Sequence, residues 1–467
     1  MRSNEPVAAG SLPRAATMRP GPSRLERRWK WLAIAWALYY FLAYSLGRYE
    51  QYMRKTIWIG GAVAVALALP LVWQRVRQLP REAALLVAFA VWTLTGFWYV
   101  TDMTAFARYQ QLIWELAVVV ICVSLILANS GGVKWFYLSF LGSAVVCVVL
   151  GVQEMGWEAL SDTAGIREAG LAQGPNALGF YSFMGILGIL GFLGEMKGLS
   201  PGNLLRAGGL IAGGGVAIYG IVISASRGAF AALLAVAGLW PVLCLMDRMQ
   251  KKWSGMAKSL FVGILVYGLF RFVIEYTFLG ERLTRASHME DNSTVTRVDL
   301  VSIAVELFTA NPLIGVGVGQ FGDASGTGYY AHNEFAEILA TTGLPGFCLY
   351  YSVYLIAWLR LSRSLRLLRD PVARYRVNFA RLILLALLIS GMSRPNFLAV
   401  DSMFLLAVAT GISLWAEQTA RASLRRGGLA GLRTVVQGAH PPPYRAQGYG
   451  RHTAAGRSAG SEARGTD

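Results

Sequence analysis

The chain has 467 residues, of which 55% are hydrophobic and only 15% charged, and its mean hydropathy is +0.46. That balance excludes an ordinary soluble domain and points to a polytopic membrane protein whose main solvent is the bilayer. A formal charge of +17 would suggest nucleic acid in a soluble protein, but here the cations flank apolar runs, so orientation and lipid headgroups account for them and no nucleic-acid partner is implied.

Residues 1–30 carry Arg2, Arg14, Arg19, Arg24, Arg27, Arg28 and Lys30 against Glu5 and Glu26, with Pro6, Pro13, Pro20 and Pro22 among them. This reads as a disordered basic cytoplasmic tail. The first apolar run ends in Gly47-Arg48-Tyr49-Glu50, not a small-residue cleavage pattern, so a cleavable signal peptide is not expected. Apolar runs able to cross about 30 Å of hydrocarbon begin near Trp31, Thr56, Ala83, Leu112, Phe136, Leu178, Gly209, Ala229, Ser259, Leu344, Leu382 and Met403. The expected fold is therefore an all-α bundle of about twelve transmembrane helices over residues 31–418, followed by a disordered cytoplasmic tail, 419–467. The four cysteines, Cys122, Cys147, Cys244 and Cys348, fall inside apolar stretches without metal-ligand spacing and are expected to be small core residues.

Charge then orients the bundle. With the N-terminus inside, the even-numbered connections should be basic, and they hold Arg75, Arg77 and Arg81; Lys134; Lys197 and Arg206; Lys251, Lys252 and Lys258; and a run from Arg360 to Arg381. The outward fifth connection is acidic through Glu154, Glu158, Asp162 and Glu168. The first connection breaks the rule with Arg48, Arg54 and Lys55.

The ninth connection, about 276–343, is long enough to hold short helices of its own on the outer, periplasmic side. Val298, Val301, Val305 and Phe308 share one helix face after Arg297, and Asn311-Pro312 stops that helix. A second helix should begin at His332 or Asn333 and end at Gly343, with Pro345 beyond. His332 would then stand at a helix N-terminus, where the dipole disfavours imidazolium and keeps the ring neutral, as a general base requires. The plainer alternative is a polar loop histidine or cap.

Three more positions could carry chemistry. Arg227, in Ser226-Arg227-Gly228, ends two apolar runs on the same side as His332, where an arginine is expensive without a partner or water; it could also snorkel to headgroups. Arg297 could be an ordinary solvated arginine or a partner of Asp299. Together, two arginines and a histidine on one side suit a phosphate-bearing substrate, because guanidinium grips phosphate oxygens through paired N–H donors. Glu115 lies about a turn inside the fourth span, where it could partner an outward arginine or line a cavity. Gly315-Val316-Gly317-Val318-Gly319 lacks a preceding strand and the Walker lysine, so it reads as a flexible turn rather than a phosphate loop. No cluster has metal-site spacing, and no cofactor is implied.

The order of these pieces resembles the O-antigen ligase and polymerase superfamily of bacterial envelope glycosyltransferases. The resemblance rests on Ile223-Ser224-Ala225-Ser226-Arg227-Gly228, on Arg297-Val298-Asp299-Leu300 leading to Asn311-Pro312-Leu313-Ile314-Gly315-Val316-Gly317, and on His332-Asn333, nine residues, Gly343, two residues, Gly346. Gly174-Pro175-Asn176 also fits a Pro-Asn common in these proteins. At Leu300 and Val301 the chain departs from the aromatic that often follows the helix arginine. The resemblance implies a GT-C-like, metal-independent inverting enzyme of the inner membrane. Such enzymes move a glycan from an undecaprenyl diphosphate carrier to an acceptor hydroxyl on a growing glycan or lipid A core, as polymerase or ligase. Arg227 and Arg297 would hold the diphosphate and His332 would act as base, with Asn333 and Glu115 in support. A transporter or flippase of lipid-linked glycans is the competing class, but the sequence shows neither an internal repeat nor helices broken at mid-membrane.

Overall fold

The computed structural model describes residues 23–45, 50–75, 79–155, 174–196, 201–248, 254–287 and 292–438. Every regular element among them is helical. In chain order they are α1 (Arg24–Ser45), α2 (Glu50–Gln74), α3 (Arg81–Thr93), α4 (Met103–Ser130), α5 (Val133–Met155), α6 (Pro175–Leu193), α7 (Pro201–Ile223), α8 (Arg227–Arg248), α9 (Ser254–Tyr276), α10 (Phe278–Ser287), α11 (Asn292–Ala310), α12 (Phe321–Ala324), α13 (Glu334–Leu367), α14 (Pro371–Gly391) and α15 (Val400–Gly438). Each apolar run of the sequence falls in a helix, and α10, α11 and α12 occupy the long connection between α9 and α13. Among the described residues six helices, α4, α5, α6, α7, α13 and α15, are long and apolar enough to cross a membrane. The expected twelve is therefore matched in helices but not in full-length spans: α3 has 13 residues and continues as a 3-10 turn, Leu94–Trp98, and prolines stand inside α2 and α8.

The N-terminal boundary of the bundle shifts. Helix α1 starts at Arg24, so Arg24 to Lys30 belong to a helix rather than to the basic tail, and Trp29 is already buried. At the other end the helical backbone of α15 runs to Gly438, beyond the expected tail boundary at 419. The chain divides after residue 420 into two units. The rest of the N-terminal tail, the acidic Glu158, Asp162 and Glu168, the basic Arg48, Lys251 and Lys252, the side chain of Cys244 and the chain after Gly438 lie outside the described residues. Of the other cysteines, Cys122 and Cys147 are buried as expected, whereas Cys348 is exposed, because its position on α13 faces away from the core.

Local chemistry sets the helix ends. Asp102 caps α4 by accepting from the Thr104 and Ala105 amides at 2.9 and 3.0 Å, and Gly131 closes it with a left-handed φ of 61°. Asp370 caps α14 through the Ala373 amide at 2.9 Å, with Pro371 in the first turn. Packing between helices depends on small residues, since lipid removes the hydrophobic drive for association. A β-carbon on Gly188 of α6 would lie 2.4 Å from the Tyr137 carbonyl oxygen of α5, so only glycine permits that approach. Tyr40 of α1 meets Phe140 and Phe404 edge-on, centroids 4.9 and 5.0 Å away, locking α1, α5 and α15 together.

At the inner end by the charge rule, the basic run is partly structural. Arg360 pairs with Glu82 at 2.9 Å and Glu417 at 3.0 Å, tying α13 to α3 and α15, and Arg376 pairs with Glu195.

The glycine-rich turn is not flexible. Val316 and Gly317 donate their amides to the Ala340 and Thr341 carbonyls at 2.9 and 3.0 Å, pinning the turn to the first segment of α13. That segment ends where expected, at Gly343 with φ 67°, but the helix resumes at once, so α13 is one kinked element. Changing Gly343 to Ala should destabilise the protein by about 1–3 kcal/mol, or more. The new β-carbon would sit in a left-handed backbone 2.3 Å from the Leu313 carbonyl oxygen. A lowered melting temperature in detergent, relative to an exposed control such as Gly209→Ala, checks this.

Candidate active site

The starts of α6, α8 and α15, the end of α14 and the loop before α13 meet at one end of the bundle around a cavity of about 290 Å³. Its lining includes Arg227, Arg282, Arg297 and Arg394, together with Asn176, Phe180, Ser226, Tyr330 and Ser393. Arg227 and Arg297, singled out from sequence, are thus brought together, and two further arginines join them.

Each arginine is presented by a local device. Helix α7 ends in a turn through Ala225, which has a left-handed φ of 47°, and Ser224 Oγ accepts from the Ser226 amide at 3.2 Å. Arg227 then opens α8. Arg282 of α10 donates to the Ala225 carbonyl at 2.7 Å, fixing that turn from outside. Close approach of α6 needs Gly179, whose added β-carbon would fall 2.6 Å from Ser226 Cβ. Arg394 forms a bidentate pair with Asp401 Oδ1 and Oδ2 at 2.8 and 3.1 Å and lies 4.1 Å over the Phe180 ring.

Two helix N-termini add to these cations. Asn176 and Ala177 from the first turn of α6, and Gly228 and Ala229 from that of α8, line the cavity. Helix N-termini and guanidinium groups both attract anions, so the arrangement is built to receive a multiply charged anion such as phosphate.

His332 stands just outside the lining. Its ring packs on Tyr330, centroids 3.9 Å apart, and Tyr330 faces the cavity. The histidine holds a left-handed φ of 53°, and Asn333 caps α13 through the Phe335 and Ala336 amides at 3.0 and 3.1 Å. Partial burial, and then the Arg297 charge, push the imidazole down to about 4. The ring is neutral as expected, but burial and Arg297 rather than the helix dipole account for it. Its Nδ1 is buried without a hydrogen-bond partner among the described residues, so a proton added there would meet no acceptor. Tyr330 is raised above the ordinary phenol value, chiefly by burial, despite the opposing charges of Arg297 and Arg394.

Residues 212–351 match the family described as O-Antigen ligase. The likeness to that family covers this stretch, less than half of the chain. The match takes in Arg227, Arg282, Arg297, Tyr330 and His332, while Phe180 and Arg394 lie outside it. The chain is also 30% identical over 215 residues to the exopolysaccharide production protein ExoQ of Rhizobium meliloti (strain 1021), an alignment that takes in 42% of this chain and 47% of that protein. The chain thus spans about half the length of that relative.

The other sequence candidates take different places. Asn333 serves as the helix cap just described. Glu115 accepts from Gln111 Nε2 at 2.8 Å on α4 and is not among the cavity-lining residues. Sequence reasoning missed Arg282, Arg394, Phe180, Tyr330 and two buried acids. Glu337 accepts from the Ala331 amide and so holds the strand of loop that carries His332. Glu334, fully buried, accepts from Tyr350 Oη at 3.0 Å, the Phe397 amide at 2.8 Å and Asn396 Nδ2 at 3.3 Å. One carboxylate therefore ties the helix behind His332 to the turn behind Arg394.

Changing Glu334 to Ala should strand these buried donors, each costing about 1–3 kcal/mol when left unpaired. The expected result is a melting temperature several degrees lower, by roughly the size of one such loss, with impaired turnover; unchanged thermal stability would show that the carboxylate is not a tie.

Proposed function

We propose that this chain is a glycosyltransferase of the bacterial inner membrane. It moves a glycan from an undecaprenyl diphosphate carrier to an acceptor hydroxyl at the periplasmic face during cell-surface polysaccharide synthesis, whether O-antigen, capsule or exopolysaccharide. The reading has about twelve membrane helices, both termini in the cytoplasm and the His332 loop outside. The observation that carries it is the convergence of Arg227, Arg282, Arg297 and two helix N-termini on one cavity, with a neutral histidine one ring beyond.

The chemistry is direct displacement. The acceptor oxygen attacks the anomeric carbon as the bond to the diphosphate oxygen breaks, so the configuration there inverts. His332 takes the acceptor proton. Negative charge grows on the departing diphosphate, where Arg227 and Arg297 stabilise it, so no metal is assigned a role. Similarity to a protein named for exopolysaccharide production favours a polymer acceptor, and hence a polymerase, over lipid A core.

Arg227→Ala or Arg297→Ala should each cost about 3 kcal/mol of transition-state stabilisation, on the order of a hundredfold in rate. Lysine should rescue poorly, because it cannot form the paired fork. These outcomes are read as transfer by purified enzyme from a lipid-linked donor; wild-type rates in either alanine variant would remove that arginine from the site.

His332→Ala should lose about 10²–10⁴-fold in rate. A base must be unprotonated, and His332 sits at about 4, so kcat/KM should stay level from neutral pH down to about 5 and fall as pH drops through about 4. An acid limb centred near 6.5 would show that the free enzyme's histidine lacks this environment.

Topology is tested at Ala324, the exposed last residue of α12. In a background without native cysteines, Ala324→Cys should react with a membrane-impermeant maleimide in intact spheroplasts. Labelling only after lysis would place the loop inside and overturn the orientation.

A further inference from the structure

The arginines that line the cavity are not chemically alike. Arg394 has its charge matched by Asp401, a carboxylate only 4% exposed, and its guanidinium face is covered by Phe180 at 4.1 Å. Both bonds to Asp401 come from Nη2, and among the described residues the Arg394 side chain makes no other hydrogen bond, so the Nε and Nη1 hydrogens of the fork remain outside the pair. Around it stand neutral polar groups, Asn176 and Ser393, and the Tyr330 ring on which His332 packs.

We propose that the patch formed by Arg394, Phe180 and Tyr330 is a carbohydrate subsite, which receives the sugar ring joined directly to the diphosphate. The inference rests on the cavity being the diphosphate site. A guanidinium neutralised by a buried carboxylate projects N–H donors without much net field, which suits hydroxyl oxygens better than phosphate. Flat apolar faces beside such donors suit the C–H face of a pyranose, and a small number of placed polar groups in a mostly apolar concavity is what orients a neutral ligand. At about 290 Å³ the cavity is at the small end of ligand pockets, with room for phosphate and one ring rather than a long glycan.

The experiment compares the binding of two probes to the full chain in detergent or nanodiscs: a bare polyprenyl diphosphate, and the same lipid carrying one N-acetylhexosamine. Wild type should prefer the sugar-bearing probe. Arg394→Lys and Phe180→Ala should each weaken that probe by about tenfold, leaving the bare probe within about twofold; bare-probe binding by the same preparation reports that the variant is folded. Asp401→Asn frees the Arg394 charge, so the sugar-bearing probe should weaken while the bare one holds or tightens. Equal losses on both probes in Arg394→Lys, or no preference in wild type, would overturn the subsite while leaving the diphosphate reading intact. Failure of wild type to bind either probe would overturn the diphosphate reading and the subsite with it.

Discussion

Four guanidinium groups, one of them matched by Asp401, and the positive ends of two helices converge on one small cavity. Much of the surrounding structure serves to hold these groups in place. Arg282 is anchored on the Ala225 carbonyl, Arg394 is clamped by Asp401 and Phe180, and the first turns of α6 and α8 are brought close by glycine at 179. Glu334 fastens the α13 start to the turn after Arg394. Donors and positive helix ends held in place before any ligand arrives are the physical sense in which such a site is preorganised for an anion.

The same logic explains the backbone. Ala225 and His332 are the non-glycine residues with left-handed φ among those described, a conformation that costs of order 1–3 kcal/mol. Each is over-determined: Ala225 by Ser224 Oγ on the next-but-one amide and by Arg282 on its carbonyl, His332 by Glu337 on the preceding amide and by Asn333 as the following cap. One strained residue lies two before Arg227 and the other is the proposed base. The strain sits where side chains must be aimed, and the buried hydrogen bonds next to it offset the cost.

Arg227, Arg297 and His332 were legible because each sits in a short local pattern that survives without knowledge of the fold: a Ser-Arg-Gly between apolar runs, an arginine heading a helix, a His-Asn before a capped helix. The runs themselves located every long helix, although length alone could not separate full spans from short or proline-bearing helices such as α3 and α8. Arg282 and Arg394 were not legible because their roles come from partners far along the chain. Ser393-Arg394-Pro395 did carry a signal, since it repeats the Ser-Arg doublet of Ser226-Arg227-Gly228 at the outer end of an apolar run. Glu334 and Glu337 looked like ordinary first-turn acids, and only packing against Asn396, Phe397 and Ala331 shows that they are buried ties. The glycine run misled in the opposite way: composition suggested flexibility, whereas amide bonds to the Ala340 and Thr341 carbonyls make it rigid.

On the proposed mechanism the arginines would also connect leaving-group binding to the strength of the base. In the free site the Arg297 charge adds to burial in holding His332 neutral and weakly basic. A diphosphate held between Arg227 and Arg297 would offset that field at His332, because added negative charge favours imidazolium. Burial would then remain as the main depressing cause, and the imidazole would be more basic than in the empty site. A base that is poor in the empty site and better in the loaded one would discriminate against idle proton transfer, through the same guanidinium groups proposed to stabilise departure of the diphosphate.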